Sequence, residues 1–134
     1  GIYGDGRLPE SRLRAGTPVL AAADDVYTNH IHADDLANIA LAALLRARNS
    51  RIYNASDDSE IKMADYFDLA ADMLKLPRPP RVSRAHAQAT LPKELLSFMG
   101  ESRRLRNDRL INELKVKLRY PTVREGIADA IRRR

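Results

Sequence analysis

The spacing of apolar residues predicts a helix-rich chain with a few short strands. The most regular stretch is ADDLANIALAALLRAR, residues 33–48, where Leu36, Ile39, Ala40, Ala43 and Leu44 recur at three- and four-residue intervals and mark one helix face. Asp34 is the expected N-cap, and an acidic start opposite Arg46 and Arg48 suits the helix dipole. A second helix is expected from Met63 to Lys75, with Met63, Phe67, Ala70, Ala71 and Leu74 on one side; Pro77, Pro79 and Pro80 forbid its continuation. Further helices follow from Ser83 as a cap through Ala89, from Pro92 to Met99 with Gly100 as the stop, and over NDRLINELK behind Asn107. Thr122 and Glu125 form a capping box that opens a terminal helix through Ile131. Strands are fewer. TPVL (17–20), the alternating segment 26–32 and RIYNAS (51–56) read as extended, LRYP (118–121) is a short extended entry to the last helix, and LPESRLRAG (8–16) offers one helical turn closed by Gly16. The expected class is mixed α/β, with about five helices and three or four short strands whose exposed edges need cover.

At 134 residues the chain reads as one domain spanning 1–134. No apolar run reaches bilayer length, and with no cysteine present neither disulfides nor thiolate metal sites are available, so a cytoplasmic setting is the expectation. The net charge of +5 is uneven: residues 1–100 carry 12 basic and 13 acidic side chains, and residues 101–134 carry 11 and 5. The basic tail is interleaved with Glu101, Asp108, Glu113, Glu125 and Asp129, which predicts a solvated, partly ion-paired surface. That interleaving and the scarcity of aromatics argue against nucleic acid as a partner.

The opening GIYGDGR has the spacing G-x-x-G-x-G, with no hydrophobic strand before Gly1 and no following lysine, so it is not expected to bind a nucleotide by itself. His30 and His32 with Asp34 and Asp35 make the densest group of possible ligands, and two His with a carboxylate suit zinc. The preferred expectation is different: the acids cap the helix and the histidines bond backbone at a strand-to-helix junction, leaving no metal site. Asp57, Asp58 and Glu60 lack EF-hand spacing and read as an acidic turn. No Ser, His or Cys pattern for nucleophilic catalysis is present.

Taken together, GIYGDGR, YTNHIHADDLANIALAAL, RIYNASDDSEIKMADYFDLAADMLKLPRPP and SRRLRNDRLINELKVKLRYPTVREGIADAI resemble the C-terminal part of the extended short-chain dehydrogenase/reductase superfamily, the NAD(P)-dependent nucleotide-sugar epimerase/dehydratase group. The resemblance rests on a Y-G-x-G-R loop, an I-H-x-x-D-L-A junction, a Y-N-A-S strand, an L-x-L-P helix end and a late N-x-R-L…L-x-Y-P-T…G-I pattern. It implies the substrate-binding portion of a Rossmann-type enzyme whose cofactor loop and Tyr-x-x-x-Lys pair lie upstream. Neither is present here: Tyr3, Tyr27, Tyr53, Tyr66 and Tyr120 are followed four residues later by Arg7, Ile31, Asp57, Ala70 and Arg124. The chain alone is therefore expected to be catalytically silent and to bind no cofactor, with NAD(P) belonging to a parent enzyme whose N-terminal Rossmann half is missing.

By the same resemblance, Tyr3, Gly4 and Arg7 are expected to border the substrate, a small molecule of the nucleotide-sugar kind. Asn29, His32 and Asp35 are expected to support the cleft, with Asp35 holding the loop by hydrogen bonds. Tyr53 and Asn54 resemble the strand beside the missing sheet. Asp5 stands where the family has proline, and only about 20 residues separate Arg7 from Tyr27, an abbreviated grip that points to a smaller or different substrate. Two other readings stay open: a basic helical nucleic-acid module using Arg103, Arg104, Arg106, Arg109, Lys115 and Lys117, and a non-catalytic interaction domain or homo-oligomer pairing through strand edges.

Overall fold

The computed structural model describes all residues, 1–134. Seven helices alternate with six two-residue strands: β1 (Ile2–Tyr3), α1 (Glu10–Arg14), β2 (Val19–Leu20), β3 (Tyr27–Thr28), β4 (Ile31–His32), α2 (Ala33–Arg46), β5 (Ile61–Lys62), α3 (Met63–Leu74), β6 (Arg81–Val82), α4 (Arg84–Thr90), α5 (Lys93–Met99), α6 (Asp108–Asn112) and α7 (Val123–Arg132). The chain divides into two compact units, each assembled from separated segments: Gly1–Arg7, Asn29–Ser59 and Leu105–Arg134 form the first, Leu8–Thr28 and Glu60–Arg104 the second.

In the first unit β1 pairs parallel with β4, Ile2 opposite Ile31 and Tyr3 opposite His32. Its core joins Ile31, Ile39, Ala42, Leu110, Leu114, Val116 and Leu118, with Leu36, Ala43, Tyr53 and Ala55 packed against it. Helix α2 is turned relative to the predicted face. Asp35, Ile39 and Ala42 are its buried residues, whereas Leu44 is 85% exposed and Leu41 and Leu45 are exposed beside it. The cap differs as well: His32, not Asp34, is the N-cap, with its side chain accepting from the Asp34 N–H. His32 keeps extended dihedrals because it ends a strand, and Ala33 already begins the helix. Helix α7 does open on the Thr122–Glu125 capping box, the Thr122 N–H donating to Glu125 at 2.9 Å. Asn107 occupies the N-cap position of α6, but its amide is spent elsewhere, donating to the Ser56 carbonyl and the Asp58 carboxylate.

The second unit holds two more ladders, β2 with β6 in parallel and β3 with β5 antiparallel. Helix α3 buries Met63, Ala64, Tyr66, Phe67, Ala70 and Ala71, so the predicted face is right except that Leu74 is only half-buried. Lys75 ends the helix in the left-handed region at φ 56°, and the Leu76 N–H reaches back to the Ala71 carbonyl at 2.9 Å. Ser83 caps α4 as expected, accepting from the His86 N–H.

Two strand expectations are corrected. Segment 26–32 is not one strand: it breaks at Asn29–His30 into β3 and β4, which pair with different partners in different units. Segment 51–56 joins no ladder. Both corrections have one cause, that a strand exists only where another strand meets it, which alternation cannot report.

Candidate functional site

The Gly1–Arg7 loop is held by its own buried tyrosine. Tyr3 is 1% exposed, and its hydroxyl donates to Asp57 Oδ2 and the Thr122 carbonyl, each at 3.2 Å. Its ring lies edge-on to His32 with centroids 5.4 Å apart, and His32 lies against Tyr120 at 3.9 Å. Helix α7 reaches this column through Gly126: a Cβ there would lie 2.7 Å from the Tyr3 hydroxyl and 2.9 Å from Cζ. Two predicted features meet here, the Y-G-x-G-R loop and the late G-I pattern.

Past Tyr3 the chain turns at Gly4, which has φ 144° and lies so close to His32 that a Cβ would sit 3.1 Å from Nε2. A side chain is excluded there by both conformation and space. The Arg7 N–H closes the turn onto the Gly4 carbonyl at 3.1 Å. Arg7 itself is exposed, and its guanidinium has no hydrogen-bond or ion-pair partner. It stands at the end of a rigidly seated loop.

The supporting residues form the next layer. Asn29 Oδ1 accepts from the Leu105 N–H at 2.8 Å, and its carbonyl accepts from the Gly1 amino group. His32 Nδ1 is an acceptor in the cap bond, so in the neutral ring Nε2 carries the proton. Burial holds the imidazole below its ordinary pKa despite Asp34, Asp35 and Asp129 nearby. Asp35 is fully buried and accepts from the Arg119 and Tyr120 N–H groups, both at 2.9 Å. Its bonds therefore run to the segment before α7; the loop it was expected to hold is fixed by Tyr3.

Reading the sequence missed Asp57 and Tyr120. Asp57 is buried, with Oδ1 accepting from the Ser59 N–H at 2.9 Å and Oδ2 from Tyr3. Burial pushes its carboxyl up to about 6, against the opposing pull of those hydrogen bonds. His30, also buried, is pushed down to about 3 by burial and by the nearby Gly1 amino group. Tyr120 donates to Asp129 at 2.6 Å and accepts from Arg133 at 2.8 Å. The available signals were the positions of Asp57 just after Y-N-A-S and of Tyr120 within L-x-Y-P-T. The two histidines and their neighbouring acids do not form a cluster able to hold a metal ion.

Part of the basic tail is ion-paired where it lies. Arg103 pairs with Glu101 at 2.7 Å, Arg104 with Glu60 at 3.3 Å, Arg106 with Asp108 at 2.6 Å, and Arg133 with both Asp129 and Asp34. No helix is long and apolar enough to cross a membrane.

No protein-family model and no curated protein matches the sequence. Solved structures do match. A functionally unknown conserved protein from Silicibacter pomeroyi superposes with a TM-score of 0.84 and 34% identity over 99% of this chain and 46% of that one. The human epimerase family protein SDR39U1, solved with NADPH, gives 0.77 and 17% over 98% and 45%. A nucleoside-diphosphate-sugar epimerase from Pseudomonas aeruginosa gives 0.76 and 23% over 98% and 44%. The chain thus spans less than half the length of each of these proteins.

Proposed function

We propose that this chain, whose fold is that of the C-terminal portion of Rossmann-type epimerase-family proteins, is a substrate-binding portion that works with an NAD(P)-binding half to act on a nucleotide-sugar-like substrate. The observation that carries the reading is Arg7: an exposed, unpartnered guanidinium on a loop whose other anchors are buried. A free guanidinium on a fixed backbone suits a phosphate or carboxylate, because its planar fork meets two oxygens at once and little freedom is lost on binding. Tyr3 and Gly4 contribute by shaping the loop, Tyr3 through its buried ring and Gly4 through its backbone. Asn29, His32 and Asp35 support it by tying β4, α2 and the segments around Leu105 and Tyr120 together.

The residues present do not make a dinucleotide cradle. The glycine loop leads into α1, which has only five residues and begins at Glu10, so no long helix offers its N-terminus to a pyrophosphate and the first side chain is repulsive to one. Hydride transfer is the chemistry that NAD(P) supplies when bound, and no step is assigned to this chain beyond holding substrate. The buried titrating groups, His30, His32 and Asp57, are committed to packing and to the loop.

Calorimetric titration tests the assignment, with UDP as the nucleoside diphosphate probe and NADPH alongside. The expected result is weak UDP binding that Arg7→Ala abolishes while the melting curve stays unchanged. Tight, stoichiometric NADPH binding by the chain alone would overturn the division of labour, and UDP binding indifferent to Arg7→Ala would overturn its role.

A further inference from the structure

The Tyr3 hydroxyl has one hydrogen and two acceptors. Asp57 Oδ2 and the Thr122 carbonyl each lie 3.2 Å from it, longer than the roughly 2.8 Å of an undivided O–H···O bond. A second hydrogen, on Asp57 Oδ2, removes the conflict: the acid donates to the Tyr3 oxygen, and Tyr3 gives its own hydrogen to Thr122. Oδ2 is the oxygen suited to carry it, because Oδ1 accepts from the Ser59 N–H at 2.9 Å. Asp57 is 5% exposed, and a buried carboxyl whose neutral form has its partners gains by keeping its proton. The Thr122 carbonyl also accepts from the Gly126 N–H at 3.2 Å, the first hydrogen bond of α7. The run from Asp57 through Tyr3 to Thr122 therefore ties the candidate loop to the start of that helix.

We propose that neutral Asp57 is a positioning residue for the Gly1–Arg7 loop, clasping it to α7 through Tyr3, and that loss of its proton to solvent loosens the loop and its hold on an anion. The coupling to an anion rests on the reading of Arg7 as the anion-binding side chain; the clasp does not. As a carboxylate, Asp57 is the stronger acceptor and takes the Tyr3 hydrogen. Thr122 keeps its bond from Gly126, so the withdrawal strands no buried group, but the hydrogen-bonded link between loop and helix is gone. Gly4 to Arg7 then follow on from the β1–β4 pairing and the packed Tyr3 ring alone. The groups facing Asp57 set the pH at which this happens. Burial and the neighbouring Asp58 favour the acid, whereas the Ser59 N–H and hydroxyl and the Gly1 amino group favour the carboxylate. His30, whose carbonyl accepts from the Asp57 N–H at 2.7 Å, is pushed down to about 3 and carries no charge in this range. From α7, Glu125 is committed to the Thr122 N–H and hydroxyl. The balance leaves the Asp57 carboxyl at about 6, so the clasp is closed below that pH and opens through neutrality.

Carboxyl carbon NMR of chain labelled at its aspartates reads the proton directly, with Asp57→Asn assigning the signal. Tyr3→Phe removes the oxygen that accepts from the acid and should make Asp57 roughly tenfold more acidic. If Tyr3 only donates to a carboxylate, the same variant makes Asp57 less acidic; that result, or no change, overturns the proposal. A second measurement needs no Tyr3 variant. Asp57→Asn supplies a donor to Tyr3 at every pH, so hydrogen exchange of the Gly4–Arg7 amides should match wild type at about pH 5 and be roughly tenfold slower than wild type at about pH 8. Equal exchange in the two proteins at both values overturns the clasp. UDP is the anion probe, and its affinity for wild type relative to Asp57→Asn should fall several-fold over the same range, a ratio that cancels the ionisation of UDP itself. A constant ratio beside a proven clasp refutes the coupling to the anion. Absence of UDP binding in both proteins refutes the Arg7 reading, and the coupling with it, while the NMR and exchange results decide the clasp independently.

Discussion

Gly126 is the point at which α7 and the Gly1–Arg7 loop test each other. Gly126→Ala adds one methyl group, which on a solvent-facing helix stabilises by about 1 kcal/mol. Here the Cβ would arrive 2.7 Å from the Tyr3 hydroxyl and 2.9 Å from Cζ, about 1 Å inside a normal carbon contact. Tyr3 has nowhere to retreat: it is 1% exposed, its hydroxyl is engaged by Asp57 and Thr122, and His32 stands edge-on to its ring. Overpacking of this kind costs roughly 3 kcal/mol, displacing the hydroxyl adds about 1, and the propensity gain returns about 1, so the net loss is about 3 kcal/mol. For a chain of this size the melting temperature should fall by about 10 °C. Urea unfolding followed by circular dichroism measures the free energy, and a second variant isolates the cause. In a Tyr3→Ala background the ring is gone, so Gly126→Ala should be neutral or stabilising, whereas Tyr3→Phe keeps the ring carbons and gives little relief. A Gly126→Ala protein as stable as wild type, or a penalty that persists without the Tyr3 ring, would refute the reasoning.

Asp35→Ala should destabilise by about 2–3 kcal/mol, because it strands the buried Tyr120 N–H and the part-buried Arg119 N–H that now meet a carboxylate, and Asp35→Asn should lie between; losses within about 1 kcal/mol for Asp35→Ala in urea unfolding would count against this. The pH dependence has two opposing parts. Asp57 is raised to about 6 from 3.8, so between those values the folded chain holds more protons and stability falls as pH rises. His30 is lowered to about 3 from 6.5, so over that range the unfolded chain holds more protons and stability rises with pH. In the shared window of about pH 4–6 the slopes offset, and Asp57→Asn, by removing one, should make the melting temperature climb more steeply with pH; an unchanged slope would show that Asp57 is not held in its protonated form. Arg7→Ala should leave stability within about 0.5 kcal/mol of wild type in the same melts, since the side chain has no partner to lose.

The candidate loop was legible only in part. Glycine spacing marked a tight turn, and Gly4 does require one. Nothing in the order of residues showed that Tyr3 would face Asp57, 54 positions away, and the Thr122 carbonyl, 119 positions away. The acid expected to hold the loop, Asp35, serves another segment, because the N–H groups that reach it come from Arg119 and Tyr120, brought there by the packing of the first unit.

What the sequence determined by itself was chiefly helical: the α3 face and its stop, the Ser83 cap, the Gly100 stop and the Thr122–Glu125 box. Helical hydrogen bonds and caps join residues three or four apart, so local order suffices to specify them. Tertiary structure alone decided the rest. Segment 26–32 became two strands because Ile2–Tyr3 met one half of it and Ile61–Lys62 the other, while 51–56, equally extended in pattern, met no strand. It also decided which side of α2 is inside: Asp35 is drawn inward by two backbone donors, and the helix turns with it, leaving Leu41, Leu44 and Leu45 outside. A helix with apolar residues nearly all round has no intrinsic inner face, and the neighbour that arrives chooses it.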